Sequence, residues 1–332
     1  MKKIFLILAL FVFPLLGWEG VGYSQQMPLF TNYLFNAYAY NPAVAGSKPY
    51  TQASMNYRNQ WVGFDGAPKT YMASLYGPFR NSKKVAMGGM LMTDATGLLQ
   101  RTAGYFTYAY HVQLNDKWKL GMGLSAGLIQ YRVRLYDVKA YDKDDEILTG
   151  NVLSKMVFDC NAGVYLYRSN FFFGVSGYQV ANNKIDFTNS QSRLAPHLYV
   201  MTGYTYKINK KYSVQPSMLI KYNAPTPVQP EFSVRGIYQK QFWVGFSYRM
   251  NDAYSFMIGA VCKERISIAY GYDMPFSGIR KYTSGSHEIM LTYSFLKTKK
   301  QQDLDEEEFN NIDNSFKSNL RNKKKTTEAE EK

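Results

Sequence analysis

The residues best suited to chemistry are few, and their spacing works against it. Three histidines occur in 332 residues: His111, His197 and His287. His287 adjoins Glu288, with Ser284 and Ser286 close by, a set that could supply a base, an orienting acid and a nucleophile. The residues from 288 onward alternate as a strand does, however, and neighbours on a strand point to opposite faces. His287 and Glu288 therefore cannot form a relay, and the chain is not expected to be an enzyme. Cys160 and Cys262 have no metal-ligand spacing. Alternation puts each on an apolar face of a different, distant strand, where it acts as a small hydrophobe; a disulfide is the alternative in an oxidising compartment. The acidic run Asp142-Lys143-Asp144-Asp145-Glu146 lacks the spacing of a calcium loop. Gly121-Met122-Gly123 sits inside a strand pattern with no helix after it, so it is not a phosphate cradle. No cofactor and no metal are expected.

The elements that carry these residues are strands. From Tyr50 onward the chain divides into segments of about ten residues with period-two alternation, the signature of a membrane barrel. In one of them Leu120, Met122, Leu124, Ala126 and Leu128 oppose Lys119, Gly121, Gly123, Ser125 and Gly127. Phe158, Cys160, Ala162, Val164 and Leu166 oppose Asp159, Asn161, Gly163 and Tyr165. One face is apolar and aromatic, the other small or polar. About fourteen segments emerge, an even number as single-chain bacterial barrels require. They start near Tyr50, Lys69, Lys84, Leu99, Lys117, Lys155, Asn170, His197, Tyr212, Val228, Gln241, Ala253, Glu264 and Glu288. Alternation alone also fits a soluble sandwich with its apolar face inward. The connections separate the two. One class is short and polar, such as Asn115-Asp116, Arg168 to Asn170 and Lys263-Glu264; the other holds the long stretches Arg132 to Ser154, Ala181 to Pro196 and Met274 to Ser286. Asn251-Asp252 alone is expected to be tight in the second class. The fold class is thus all-β, an antiparallel outer-membrane barrel over residues 50–296, with short turns in the periplasm and long loops outside.

The ends differ from this ladder. Lys2 and Lys3, the apolar run Ile4 to Leu16 and Gly22-Tyr23-Ser24 read as a secretory signal peptide over residues 1–24. Residues 25–49 are rich in Tyr, Phe and Asn and are expected to fold into the lumen as a plug. Residues 297–332 are charged, with few aromatics, and read as a periplasmic tail that either docks a partner or is only solvated. Both termini are thereby placed in the periplasm. The net charge of +14 is spread over turns and strand ends, which points to anionic lipid head groups of the outer membrane and, in an exported chain, not to nucleic acid. Aromatics at 16%, with Tyr 29 and Phe 21, suit interfacial girdles, and Gly 25 suits strands that curve or meet a plug closely. Lumen-facing Asn56, Arg58, Gln60, Asp159, Asn161 and Glu288 need partners there. Arg58 and Glu288 fall near the same end of the first and last strands, so an ion pair across the closing seam is predicted.

Three segments carry a resemblance: FNAYAYNPAVAG from Phe35 to Gly46, YRNQWVGFDGAPKTYMASLYGPF from Tyr57 to Phe79, and AYGYDMPFSGIRKYTSGSHEIMLTY from Ala269 to Tyr293. Together they resemble the PorP/SprF family of type IX secretion system membrane proteins. The resemblance implies an outer-membrane barrel that assists type IX secretion and gliding motility. Its implied partners are a secreted adhesin or the periplasmic secretion and motility components. The interaction candidates within the motifs are Asn41, Pro42, Gly46, Arg58, Gln60, Trp61, Gly63, Gly66, Pro68, Lys69, Ser286, His287 and Glu288. Trp61 falls at the outer end of the first strand, where an interfacial aromatic belongs. These residues either shape the barrel or touch the partner. A plugged uptake channel for small or hydrophobic solutes is the competing function.

Overall fold

The computed structural model describes residues 27–82, 84–134, 152–187, 190–224, 226–263 and 265–295. The signal peptide, the acidic loop and the charged tail lie outside them. Strands β1 (Thr51–Asn59), β2 (Lys69–Pro78), β3 (Val85–Thr96), β4 (Leu99–Gln113), β5 (Lys119–Arg134), β6 (Val152–Arg168) and β7 (Phe171–Tyr178) form the first half of the wall. The second half is β10 (His197–Tyr204), continued by β11 (Tyr206–Lys207), and then β12 (Tyr212–Tyr222), β13 (Gln229–Tyr238), β14 (Phe242–Arg249), β15 (Ala253–Cys262), β16 (Ile266–Pro275) and β17 (Ser286–Phe295). Every neighbour is antiparallel. β1 pairs with β17, and β10 pairs with both β7 and β12, so fourteen strands close into a barrel without an edge.

The pleat sorts the side chains as the alternation predicts. In β17, Ser286, Glu288, Met290, Thr292 and Ser294 are buried inside, while Ile289, Leu291, Tyr293 and Phe295 are exposed. In β5, Leu124 and Leu128 are exposed and Ser125 and Ile129 buried. Exposed apolar side chains cover the outer wall, from Met55 and Leu75 round to Phe256 and Ile268, which only lipid could cover favourably. Cys160 and Cys262 are free thiols, the first half-exposed and the second exposed.

Strand starts follow the alternation closely; the widest discrepancy is β6, which begins at Val152 where Lys155 was expected. Three departures are instructive. β4, β5 and β6 run to 15, 16 and 17 residues, longer than the span a bilayer needs, because their tips carry polar residues that continue the pleat past the apolar band. The connection of β3 to β4 is only Gly97-Leu98, a second tight turn in the long class, made possible by the left-handed backbone of Gly97 (φ 56°). Within the long connection after β7 a small hairpin forms, β8 (Lys184–Phe187) with β9 (Ser190–Arg193). Ile185 and Phe187 alternate with Lys184 and Asp186, but β9 is polar throughout and four residues a strand are too few for the period to stand out.

Candidate functional site

The lumen is occupied by the chain's own residues Met27–Ser47. Thr31, Asn32, Tyr33, Asn36, Tyr40, Asn41, Ala43 and Ala45 in this segment are nearly or fully buried. Two short 3-10 turns, Ala37–Ala39 and Pro42–Val44, make it compact. Asn41 caps the second, its Oδ1 accepting the Ala43 N–H at 2.9 Å, and Pro42 supplies the fixed φ of the first turn position. The other end of the Asn41 amide reaches the wall: Nδ2 donates to the carbonyls of Val164 (2.9 Å) and Val175 (3.4 Å).

That approach depends on glycine. A Cβ on Gly163 would stand 2.2 Å from Asn41 Oδ1, and one on Gly123 would stand 2.4 Å from the Ala43 nitrogen. The segment therefore lies directly on the backbone of β5 and β6. Gly46 ends this stretch with φ +84°, its Cα facing Ala86 so closely that a side chain has no room. Beside it His111 Nε2 meets the Ala45 carbonyl at 2.6 Å, and its Nδ1 meets the Tyr167 hydroxyl at 3.1 Å.

Halfway along, aromatic stacking replaces backbone contact. Phe35 lies on Trp243 (4.5 Å between centroids), with the Arg235 guanidinium 4.4 Å from the Phe35 ring, and Tyr38 lies on Tyr76 (4.3 Å). Around this level the wall presents Met92, Met72, Asn56, Met290 and Ala269 as one cross-strand row. Methionine suits a wall that must fit an irregular segment.

Nearer the other mouth the contacts are ionic. Arg58 pairs with Asp273 at 2.5 Å and with Glu288 at 3.3 Å. The predicted seam pair is thus present, and β1 and β17 set Arg58 directly opposite Glu288. Arg249 joins Asp273 (3.4 Å), Glu231 (2.9 Å) and Asp252 (3.1 Å). Apart from Asp252 at the rim, every member has a side chain no more than 3% exposed. Buried ions persist only when their remaining hydrogen-bonding capacity is met, and here the lumen segment meets it. Glu288 accepts the Thr31 N–H (2.7 Å), the Asn32 N–H (3.0 Å), Asn32 Nδ2 (3.0 Å) and Asn56 Nδ2 (3.1 Å), besides Arg58. The Thr31 hydroxyl donates to Asp273 and accepts from Arg58, each at 2.7 Å. The ions and the segment complete one network.

The remaining motif residues build the mouth above that network. Gln60 accepts a long contact from Arg58 Nε (3.5 Å), and its N–H donates to the Pro68 carbonyl (2.9 Å), closing the loop between β1 and β2. Trp61 is half-buried with φ +53°; its N–H donates to Ser286 Oγ (3.1 Å). Trp61 thus bends the chain away from β1 toward the other motif, a turn role more than that of an anchoring strand aromatic. Gly63 (φ +95°) and Gly66 (φ +72°) complete the loop, and the Gly97 N–H donates to the Gly66 carbonyl at 2.8 Å. Val62 exchanges backbone bonds with Ser284 and Gly285 (2.9 and 2.8 Å). The second and third motif segments are therefore zipped into one surface. Lys69 opens β2 and is exposed. His287 turns outward from Glu288, bonded to the Tyr270 hydroxyl at 2.7 Å on the outer wall, so no relay exists between the two.

Sequence reasoning missed Arg249, Asp273 and Glu231, although each shares lumen parity with a small residue two positions away: Ser247, Gly271 and Ser233. The described chain starts with Met27 bonded to His197 (3.3 Å), at the long-connection mouth, while Phe295 pairs with Thr51 at the opposite end. The segment crosses the lumen once, and composition gives no sign of its direction.

Beside the segment one gap is lined by Leu29, Lys221 and Glu231 and another by Phe35, Arg235 and Trp243. Neither holds more than about one water. An apolar exterior, a filled polar interior and an edgeless antiparallel wall define a membrane β-barrel of the bacterial outer-membrane type.

The pattern of PorP/SprF, described as type IX secretion system membrane protein, matches residues 22–293. The chain belongs to this family, and its place is the outer membrane. No protein of curated function matches it. Among solved structures it is similar to the Pseudomonas putida toluene transporter TodX, with 9% identity and a TM-score of 0.46 over 80% of this chain and 93% of that one. It is similar also to the CymD monoaromatic hydrocarbon channel (10%, 0.45, 78% and 91%) and to a Pseudomonas aeruginosa FadL homologue (11%, 0.43, 76% and 91%).

Proposed function

We propose that this protein is a sealed accessory barrel of type IX secretion, which binds a secreted surface protein or a periplasmic secretion or motility component and does not itself conduct. The filled lumen carries this reading: the segment Met27–Ser47 is fastened to the wall by ions at one mouth and by backbone packing at the other. A conduit for small solutes needs a path, and the segment occupies it. The barrel sits with its short turns in the periplasm and its long connections outside, the usual asymmetry of such barrels. Catalysis has no place in this reading. His111 and His197 fix the lumen segment, and His287 belongs to the outer wall.

The test is affinity purification of the detergent-solubilised native protein followed by mass spectrometry. Enrichment of a secreted adhesin, or of periplasmic secretion or motility proteins, is the expected result. A copy ending at Leu296 shows whether the charged tail holds them. Recovery of the barrel alone, with solute uptake lost on deletion of the gene, would overturn the reading in favour of a transporter.

A further inference from the structure

We infer that the lumen segment is a thread that delivers the mature N-terminus to the mouth bearing the long connections, on the opposite side of the membrane from the C-terminal tail. Three contacts fix the start of the thread. The Met27 N–H donates to His197 Nε2 (3.3 Å), Lys221 Nζ donates to the Met27 carbonyl (3.2 Å), and Arg101 Nη2 approaches Met27 Sδ (2.9 Å). His197 opens β10 after a long connection, Lys221 is near the end of β12 before another, and Arg101 follows the turn from β3 to β4. All three belong to one mouth.

The thread then descends in order. Thr31 and Asn32 meet the ion network, Tyr33 meets Ser217 (2.8 Å), Tyr38 meets Thr107 (2.7 Å), and Ala45 meets His111 close to the last residues of β4. Lys48 Nζ reaches Gln52 Oε1 (3.1 Å) at the short-turn end, where β1 begins. One side chain reaches back: the Tyr40 hydroxyl accepts the Phe30 N–H (2.6 Å) and its ring packs on Tyr199, while the backbone goes on to Ala45.

Distance decides what this means for the terminus. Cleavage after Ser24 leaves Gln25 and Gln26 ahead of Met27. Two residues reach at most about 7 Å, whereas the hydrocarbon core is about 30 Å thick. The α-amino group therefore cannot return to the short-turn end. In the orientation proposed above, on which only the words inside and outside rest, the N-terminus is displayed at the cell surface beside the zipped motif loops, and residues 297–332 start in the periplasm. The protein thus offers one chain end to each compartment. A partner gripping the surface end would pull on the same segment that completes the ion network.

The test uses single-cysteine versions of the full chain in a Cys160→Ala, Cys262→Ala background, labelled in intact cells with a membrane-impermeant maleimide and again after lysis. Gln26→Cys reports the N-terminus, Tyr282→Cys (66% exposed) the long-connection mouth, and Lys210→Cys an exposed residue of a short turn. Gln26→Cys is expected to label with Tyr282→Cys, at least about 10-fold above Lys210→Cys in intact cells. Labelling of Gln26→Cys together with Lys210→Cys, or in neither preparation, overturns the thread. If Lys210→Cys and Gln26→Cys exchange sides, with Gln26→Cys still matching Tyr282→Cys, the thread stands and the orientation falls. A peptide tag placed ahead of Met27 and probed by antibody on intact cells gives the same reading if the cysteine variant folds poorly.

Discussion

The two ends of the lumen segment are held by opposite physics. At the long-connection mouth, Thr31 and Asn32 are bound by charge: five donors converge on Glu288, and two guanidiniums share Asp273. Toward the short turns, Asn41 to Gly46 are bound by shape, with Pro42 and Ala43 lying on glycines where a single methyl group would collide with backbone. Charge fixes direction and register at one end, since a buried carboxylate accepts no other partner cheaply. Close packing gives rigidity at the other, since interiors this dense do not yield to added atoms. A segment held both ways is a fixed part of the barrel and not a loose stopper.

The comparison is broken most severely on the packing side. Gly123→Val sets branched carbon against the Ala43 backbone, which neither strand nor segment can move away from without losing the Asn41 bonds. The expected loss is about 3 kcal/mol or more, seen as a fall in the temperature at which the barrel loses its compact form on unboiled gels. An unchanged transition would mean that the segment does not lie on β5.

Glu288→Ala tests the ionic side. It strands four donors and leaves Arg58 with Asp273 as its one carboxylate partner, at a cost of about 3–5 kcal/mol for a broken buried pair. Glu288→Gln keeps much of the hydrogen bonding and should fall between this variant and wild type. The smaller variant matters because equal losses for both would place the value in the charge alone.

Asn41→Ala removes the cap and the bonds to Val164 and Val175 without adding bulk, and about 1–2 kcal/mol is expected. Tyr270→Phe lies at the bottom of the scale. It breaks the outward pair with His287, which is only half-buried, and should shift the gel transition by less than about 1 kcal/mol. A larger shift would show that the outer wall contributes to the segment's hold.

The same division explains what the sequence reveals. The wall is legible because its lipid face repeats every second residue, and strand starts such as Lys69, Leu99, His197, Tyr212 and Ala253 follow directly. The seam pair of Arg58 and Glu288 is legible because closure brings the first strand to the last. The wider network is not, because Asp273, Arg249 and Glu231 meet only after the barrel curves and a segment far away in sequence supplies their missing donors. The glycine bed is half legible: glycine on lumen parity in β5 suggests close approach, but nothing in Gly121 or Gly123 names Ala43 as what approaches. The thread's direction has no local signal at all. It follows from which mouth holds the carboxylates.

A sealed lumen is tested most directly by single-channel recording of the purified full chain in planar bilayers. It predicts a barrel that inserts yet passes no steady ionic current, with openings appearing only in variants such as Gly123→Val that dislodge the segment. A steady conductance from the wild-type barrel would contradict it, because ions would then be passing a segment fastened at both mouths.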